Sequence, residues 1–195
     1  MNLNVNEIFY SLQGEGGRVG EASVFIRLTR CNLACDFCDT DFESGKDMSL
    51  EDILSEISQY PCHWIIWTGG EPTLQLTDEA LLFFKTKGYK QAIESNGLKL
   101  FSTLLDYVVC SHKGNNFAFI KKINPKVDEI RFPMRIGDRL PGFEELPEAG
   151  SYFLSPVFTP NFQVTSENID YCVELVKNHP QWRLSVQMHK LIDIP

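Results

Sequence analysis

Apolar residues recur along the chain in two rhythms. The first is alternation over short runs, the mark of strands with one buried face. Residues 4–11 carry Val5, Ile8 and Tyr10. Residues 22–28 set Val24, Ile26 and Leu28 on one face and Arg27 on the other. Residues 63–67, 91–94, 107–110, 127–132, 152–154 and 182–187 read as further strands. The second rhythm is helical. In residues 49–59, Leu50, Ile53, Leu54 and Ile57 form one stripe, and Ser49 with Asp52 three positions on has the form of a capping box. Residues 77–87 open with Asp78 and Glu79 at the positive helix end, bury Leu81, Leu82 and Phe84, and stop before Gly88. Residues 166–178 read as a capped helix ended by Pro180. The polar stretch 41–48 reads as a loop, and residues 121–150, rich in Pro and Gly, as irregular around their one strand. Strands and helices alternate, and polar residues of interest gather at the carboxyl ends of strands. That pattern predicts an α/β fold: a partial parallel (β/α) barrel, one domain over residues 1–195.

Size and charge narrow the function. A chain of 195 residues holds one proper core. No apolar run reaches the ~18 residues of a membrane span, and the first residues have neither the basic nor the apolar part of a signal peptide. Net charge is −8 with no Lys/Arg run, which argues against a nucleic-acid surface. Six cysteines, three of them clustered, fit a reducing cytoplasm better than a disulfide framework.

That cluster is the strongest chemical signal. Cys31, Cys35 and Cys38 follow C-x3-C-x2-C within one loop. Thiolates are soft donors that select zinc, copper(I) or iron–sulfur clusters. Three donors leave one metal position open for chemistry. A structural zinc knuckle needs a fourth ligand, for which Cys62, Cys110, Cys172 or a histidine is available. Other segments are weaker alone. The Gly-rich stretch 12–17 lacks the Gly-Lys-Ser/Thr of a phosphate loop and reads equally as a plain turn. Arg27, near the strand end that leads into the cysteine loop, could clamp a carboxylate with its planar fork. Thr68-Gly69-Gly70-Glu71-Pro72 forms a backbone-rich cup at a strand's carboxyl end, where α/β ligands bind. Glu94 and Asn96 are placed for ribose hydroxyls, although Asn96-Gly97 is also a common turn.

With Phe37 before the third cysteine and Asp39-Thr40 after it, the loop resembles the radical S-adenosylmethionine (SAM) superfamily, and the Gly-Gly-Glu cup follows in the superfamily's order. Residues 7–16, the Phe25-Ile26-Arg27-Leu28 strand, Cys38-Asp39-Thr40 and the tail 184–190 running to Pro195 are similar to the 7-carboxy-7-deazaguanine synthase family. The resemblance implies that Cys31, Cys35 and Cys38 hold a [4Fe-4S] cluster and that SAM chelates its fourth iron. It implies SAM contacts from Phe37, Cys38, Asp39, Gly70, Glu71, Glu94, Ser111, His112, Lys113, Ser155, Pro156, Val157 and Phe158. His112 stands where the family has proline, and residues 155–158 keep only Pro156 of the usual Gln-Pro-Leu-Asp. Leu12, Gln13, Gly14, Glu15, Arg27, Thr68, His189 and the carboxylate of Pro195 would meet substrate, and Thr40 would ligate Mg²⁺ through its hydroxyl.

The implied reaction turns 6-carboxy-5,6,7,8-tetrahydropterin into 7-carboxy-7-deazaguanine with loss of ammonia, on the way to queuosine, a modified tRNA base, and other 7-deazapurines. A reductively generated 5′-deoxyadenosyl radical takes a hydrogen from C6 and returns it after ring contraction. The resemblance further implies an electron donor such as flavodoxin or ferredoxin and a homodimer. A glycyl-radical activase would share the cysteines and the cup but not the Gln13-Gly14-Glu15-Gly16 segment or the His189-Lys190 tail. A zinc or iron–sulfur binding module would cleave no SAM.

Overall fold

A computed structural model describes residues 1–38, 41 and 43–195, with Phe162 by its backbone alone. Nine strands form one sheet: β1 (Asn2–Leu12), β2 (Ala22–Leu28), β3 (Lys46–Ser49), β4 (Trp64–Gly69), β5 (Lys90–Ser95), β6 (Tyr107–Ser111), β7 (Lys126–Met134), β8 (Glu148–Pro156) and β9 (Arg183–Leu184). Five helices accompany them: α1 (Leu50–Ile57), α2 (Asp78–Thr86), α3 (Phe117–Ile123), α4 (Phe162–Asn178) and α5 (Met188–Ile192). The strand order is β3-β1-β2-β4-β5-β6-β7-β8-β9. From β2 through β9 every neighbouring pair is parallel, while β1 runs antiparallel to both β2 and β3. The sheet is open rather than closed, so the barrel is partial.

Alternation along the strands assigns the two faces. Val24, Ile26 and Leu28 join Ile65, Trp67 and Ile93 in the large core under α1 and α2, with Ile53, Ile57, Leu81 and Phe84 from the helices. The intervening residues Phe25, Ile66 and Ala92 form a small inner cluster with Phe9, Trp64 and Tyr107. A second outer core forms around Leu154, Cys172 and Trp182 beneath α4.

Four sequence expectations change. Residues 41–48 are not all loop: Lys46–Ser49 pairs with β1, placing Met48 opposite Leu3 and burying it. The helix expected at 166 begins at Phe162, because Asn161, just after Pro160, caps it by accepting from Gln163 N. In the stretch read as irregular, α3 reaches into residues 121–123 and β7 extends to Met134. The strand expected over 182–187 shrinks to two residues, because Ser185 N bonds Leu154 O and the chain then leaves the sheet for Gly14 O through Met188 N.

The capping box of α1 is complete: Ser49 Oγ accepts from Asp52 N at 3.1 Å, and Asp52 accepts from Ser49 N at 3.3 Å. Ser49→Ala is expected to lower stability by about 1 kcal/mol, read as a shift of the urea midpoint at unchanged slope.

Candidate functional site

Parallel strands all deliver their carboxyl ends to one edge, so loops leaving that edge can surround a single cavity. Here a cavity of about 650 Å³ is touched by residues from β1, β2 and β4 through β8, from the cysteine loop and from the tail. A sheet must curve around a space that seven of its strands reach.

The cysteine loop follows β2 directly. All six cysteines are free thiols, and Cys31, Cys35 and Cys38 line the cavity. Burial pushes the Cys35 thiol up, and the Lys113 charge opposes that push. The loop is held from three sides. Glu71 N donates to Arg30 O at 2.8 Å, and Arg30 itself takes a left-handed conformation (φ 66°). Asn96 Nδ2 donates to Asn32 Oδ1 at 2.8 Å. The Arg135 fork grips Asp36 at 2.9 and 2.7 Å. The Phe37 ring centre is 5.2 Å from Lys113 Nζ and 5.0 Å from the Arg135 guanidinium.

The Gly-Gly-Glu cup supports the loop from beneath. A Cβ on Gly70 would sit 1.9 Å from Arg30 O, so only glycine fits there. The Glu71 carboxylate is buried and accepts from Thr73 N (3.0 Å), Thr73 Oγ1 (2.6 Å), Ser95 Oγ (2.7 Å) and Asn96 N (2.8 Å). Asn96, considered from sequence for a ribose, has its amide engaged by Asn32 and Leu98.

The opposite wall is built by the segment after β1. Gln13 Nε2 donates to Glu94 Oε1 at 2.8 Å, and Gln13 Oε1 accepts from Glu15 N at 3.1 Å. The tail packs on this segment: a Cβ at Gly14 would meet His189 Nδ1 at 2.2 Å, and Ser11 Oγ donates to a Pro195 oxygen at 2.8 Å. Arg27 enters from β2 opposite Glu7, with Nε 2.6 Å from Glu7 Oε1 and its guanidinium 5.3 Å from the Phe9 ring. Phe9 stacks on Phe25 at 4.9 Å, giving the cavity an apolar side.

Sequence reasoning missed the charged floor. Arg131, buried on β7, binds Glu129 through Nε (2.5 Å) and Glu94 through Nη1 (2.9 Å), with Glu15 Oε2 at 3.5 Å from the same Nη1. Glu129 in turn accepts from Tyr107 OH and Gly17 N, each at 2.9 Å. Burial raises the Glu94 carboxyl, but Arg131 and Gln13 outweigh it and hold it below the usual range. Burial pulls Lys113 down, and its Nζ bonds Ser111 Oγ at 2.9 Å. The available signal was an arginine on the face of β7 opposite Ile130 and Phe132.

Of the site residues expected from sequence and described here, all line the cavity except His112. Its ring turns to the other face of the sheet, stacks on Phe117 at 4.2 Å and on Phe132 at 5.7 Å, and borders a separate cavity of about 210 Å³. Alternation along β6 and its exit sends the Ser111 and Lys113 side chains inward and the His112 ring outward, so a SAM contact from residue 112 would come from its backbone. Asp39 and Thr40, expected at SAM and Mg²⁺, lie outside the described residues. Among the described residues no three or more His, Cys, Asp or Glu side chains gather around a single ion. Three free thiols on one cavity are the soft donor set that an iron–sulfur cluster takes.

Burial lowers the His112 pKa to about 4 from the ordinary 6.5. The folded chain therefore binds fewer protons there than the unfolded one. Stability from this site is complete above pH 6.5, falls as pH drops from 6.5 to 4, and is flat below. His112→Phe is expected to remove about 3 kcal/mol of that acid loss by pH 4, measured by urea unfolding at pH 7, 5.5 and 4.

Comparison with known proteins agrees with this geometry. Residues 25–177 match the model of the radical SAM superfamily. The chain is 41% identical over 194 residues to a 7-carboxy-7-deazaguanine synthase of Bacteroides thetaiotaomicron, covering 100% of both chains. It is 41% identical over 201 residues to that of Haemophilus influenzae, covering 99% of this chain and 94% of the relative. Its fold is that of the crystal structure of QueE from Escherichia coli, with a TM-score of 0.74 at 23% identity over 97% of this chain and 95% of that one. The chain belongs to the radical SAM superfamily and, within it, to the 7-carboxy-7-deazaguanine synthase family.

Proposed function

We propose that this chain converts 6-carboxy-5,6,7,8-tetrahydropterin into 7-carboxy-7-deazaguanine with release of ammonia. The observation that carries the reading is the meeting of three free cysteines, the Gly-Gly-Glu cup and the Gln13–Glu15 wall on one cavity, in a chain aligned end to end with relatives of that name. Cys31, Cys35 and Cys38 are assigned to a [4Fe-4S] cluster. SAM is assigned to the side bounded by Phe37, Gly70, Glu94, Ser111, Lys113 and residues 155–158, and the pterin to the side bounded by Leu12–Glu15, Arg27, Thr68, His189 and Pro195. When bound, cluster and SAM supply one-electron reduction and reversible hydrogen-atom abstraction.

The chain's own residues bind, orient and shield. Glu71, satisfied by protein donors, shapes the cup rather than reaching for a ligand with a free oxygen. Arg27, steered by Glu7 and lying along Phe9, offers a guanidinium suited to a pterin carboxylate. Glu15 and Glu94 supply acceptors for N–H and ribose O–H groups. The stacked Phe9 and Phe25 keep water from one side of the reacting space. Mg²⁺ is assigned to Thr40, the electron donor to a flavodoxin or ferredoxin, the assembly to a homodimer and the compartment to the cytoplasm. Among the described residues no helix is long and apolar enough to cross a membrane.

The test is anaerobic reconstitution with iron and sulfide, then SAM, reductant, Mg²⁺ and the pterin, with detection of the deazaguanine acid. Product is expected from the wild type and none from Cys31→Ala, Cys35→Ala or Cys38→Ala; full turnover by any of the three sinks the reading. Arg27→Ala, losing a hydrogen-bonded charge worth about 1.5–3 kcal/mol, is expected to raise KM for the pterin about 10- to 150-fold.

A further inference from the structure

We infer that Arg131 couples the two ligand subsites, so that SAM and the pterin each tighten the binding of the other. The inference rests on the functional reading above and goes beyond it, since Arg131 is assigned no ligand of its own.

One guanidinium nitrogen serves two carboxylates. Nη1 lies 2.9 Å from Glu94 Oε1 and 3.5 Å from Glu15 Oε2, while Nε is fixed on Glu129. Glu94 belongs to the SAM side and Glu15 to the pterin side. Both border the cavity, with side chains 20% and 17% exposed, while Arg131 itself is 4% exposed. Gln13 runs a second link in parallel, donating to Glu94 and accepting from Glu15 N.

The fork cannot drift. Glu129 is fully buried and is held by Tyr107 OH and Gly17 N. A Cβ on Gly16 would come within 1.9 Å of Glu129 Oε1 and 2.8 Å of Arg131 Nε, so the turn closes tightly over the pair.

Sharing sets the sign of the coupling. Nη1 holds Glu94 by Oε1 and Glu15 by Oε2, and both carboxylates stay on the fork when ligands dock against them. The ligand that binds first orders the shared Glu15–Arg131–Glu94 bridge, so the second meets an acceptor already set. Linkage makes the two effects equal in free energy. Couplings of this kind run from about 5- to 150-fold.

The test is an equilibrium measurement on the reconstituted enzyme without reductant, where SAM stays intact. SAM affinity is measured by anaerobic equilibrium dialysis with and without saturating pterin, and pterin affinity with and without SAM. The wild type is expected to gain about 5-fold or more in each direction by the same factor. Arg131→Lys keeps a buried charge against Glu129 but has no fork to share. It is expected to bring the factor close to 1, whichever way each single-ligand affinity moves. Circular dichroism checks its fold, and Arg131→Gln serves as the neutral companion. A wild type that binds both ligands with no mutual effect, or with opposition, overturns the inference and leaves the functional reading standing. So does an Arg131→Lys variant that keeps the wild-type factor. A wild type that binds neither ligand overturns the functional reading, and this inference with it.

Discussion

A carboxylate removed from water costs several kcal/mol unless donors surround it. The Glu71 side chain, 1% exposed, imposes that condition on the whole carboxyl edge of the sheet. Its four donors come from Thr73 just past β4 and from Ser95 and Asn96 at the end of β5. Two strand ends must therefore converge on one point. The backbone of the same cup reaches back to Leu28 and Arg30 through Gly70 N and Glu71 N. Asn96, aligned by Glu71, passes the restraint on to Asn32 inside the cysteine loop. A buried acid more than thirty positions along the chain thus helps to fix the start of the loop that carries the three thiols.

The charge distribution has the same logic. The chain as a whole is acidic, at −8, and the cavity mixes both signs: Arg27, Lys113, Arg131 and Lys190 line it together with Glu7, Glu15, Asp41, Glu71 and Glu94. Arg27, Lys113 and Arg131 are each held against carboxylate, hydroxyl or aromatic partners, Lys113 by Ser111 and the Phe37 face. Cations set singly among carboxylates favour a compact ligand with one acid group and several N–H or O–H donors over a polyanion, because charges inside a low-dielectric cleft are not screened as they are outside.

Much of this was legible in the residues. The alternation of Val24, Ile26 and Leu28 against Arg27 gave the faces of β2, and the Leu50, Ile53 and Ile57 stripe gave α1. The cavity wall was readable because its residues stand at strand ends, where topology brings them together. What escaped depended on long-range pairing. The four residues of β3 become a strand only because β1 offers an edge. Short α5 packs where Gly14 has no side chain. The outward turn of the His112 ring was not legible, because a motif gives a position in the chain and not the face on which a side chain emerges. Arg131 was missed because a lone arginine in a strand is ordinarily a surface residue, and only the folded sheet shows it meeting three acids.

No fragment of the chain contains the cavity. Its walls come from β1 near one edge and β8 near the other, so the space exists only when the whole sheet between them has formed and curved. Whatever occupies it binds the native chain and not the unfolded one, and by mass action lends its binding free energy to every strand at once. Occupancy and global unfolding are one equilibrium in this architecture, so the melting temperature of the chain doubles as a gauge of how full its centre is.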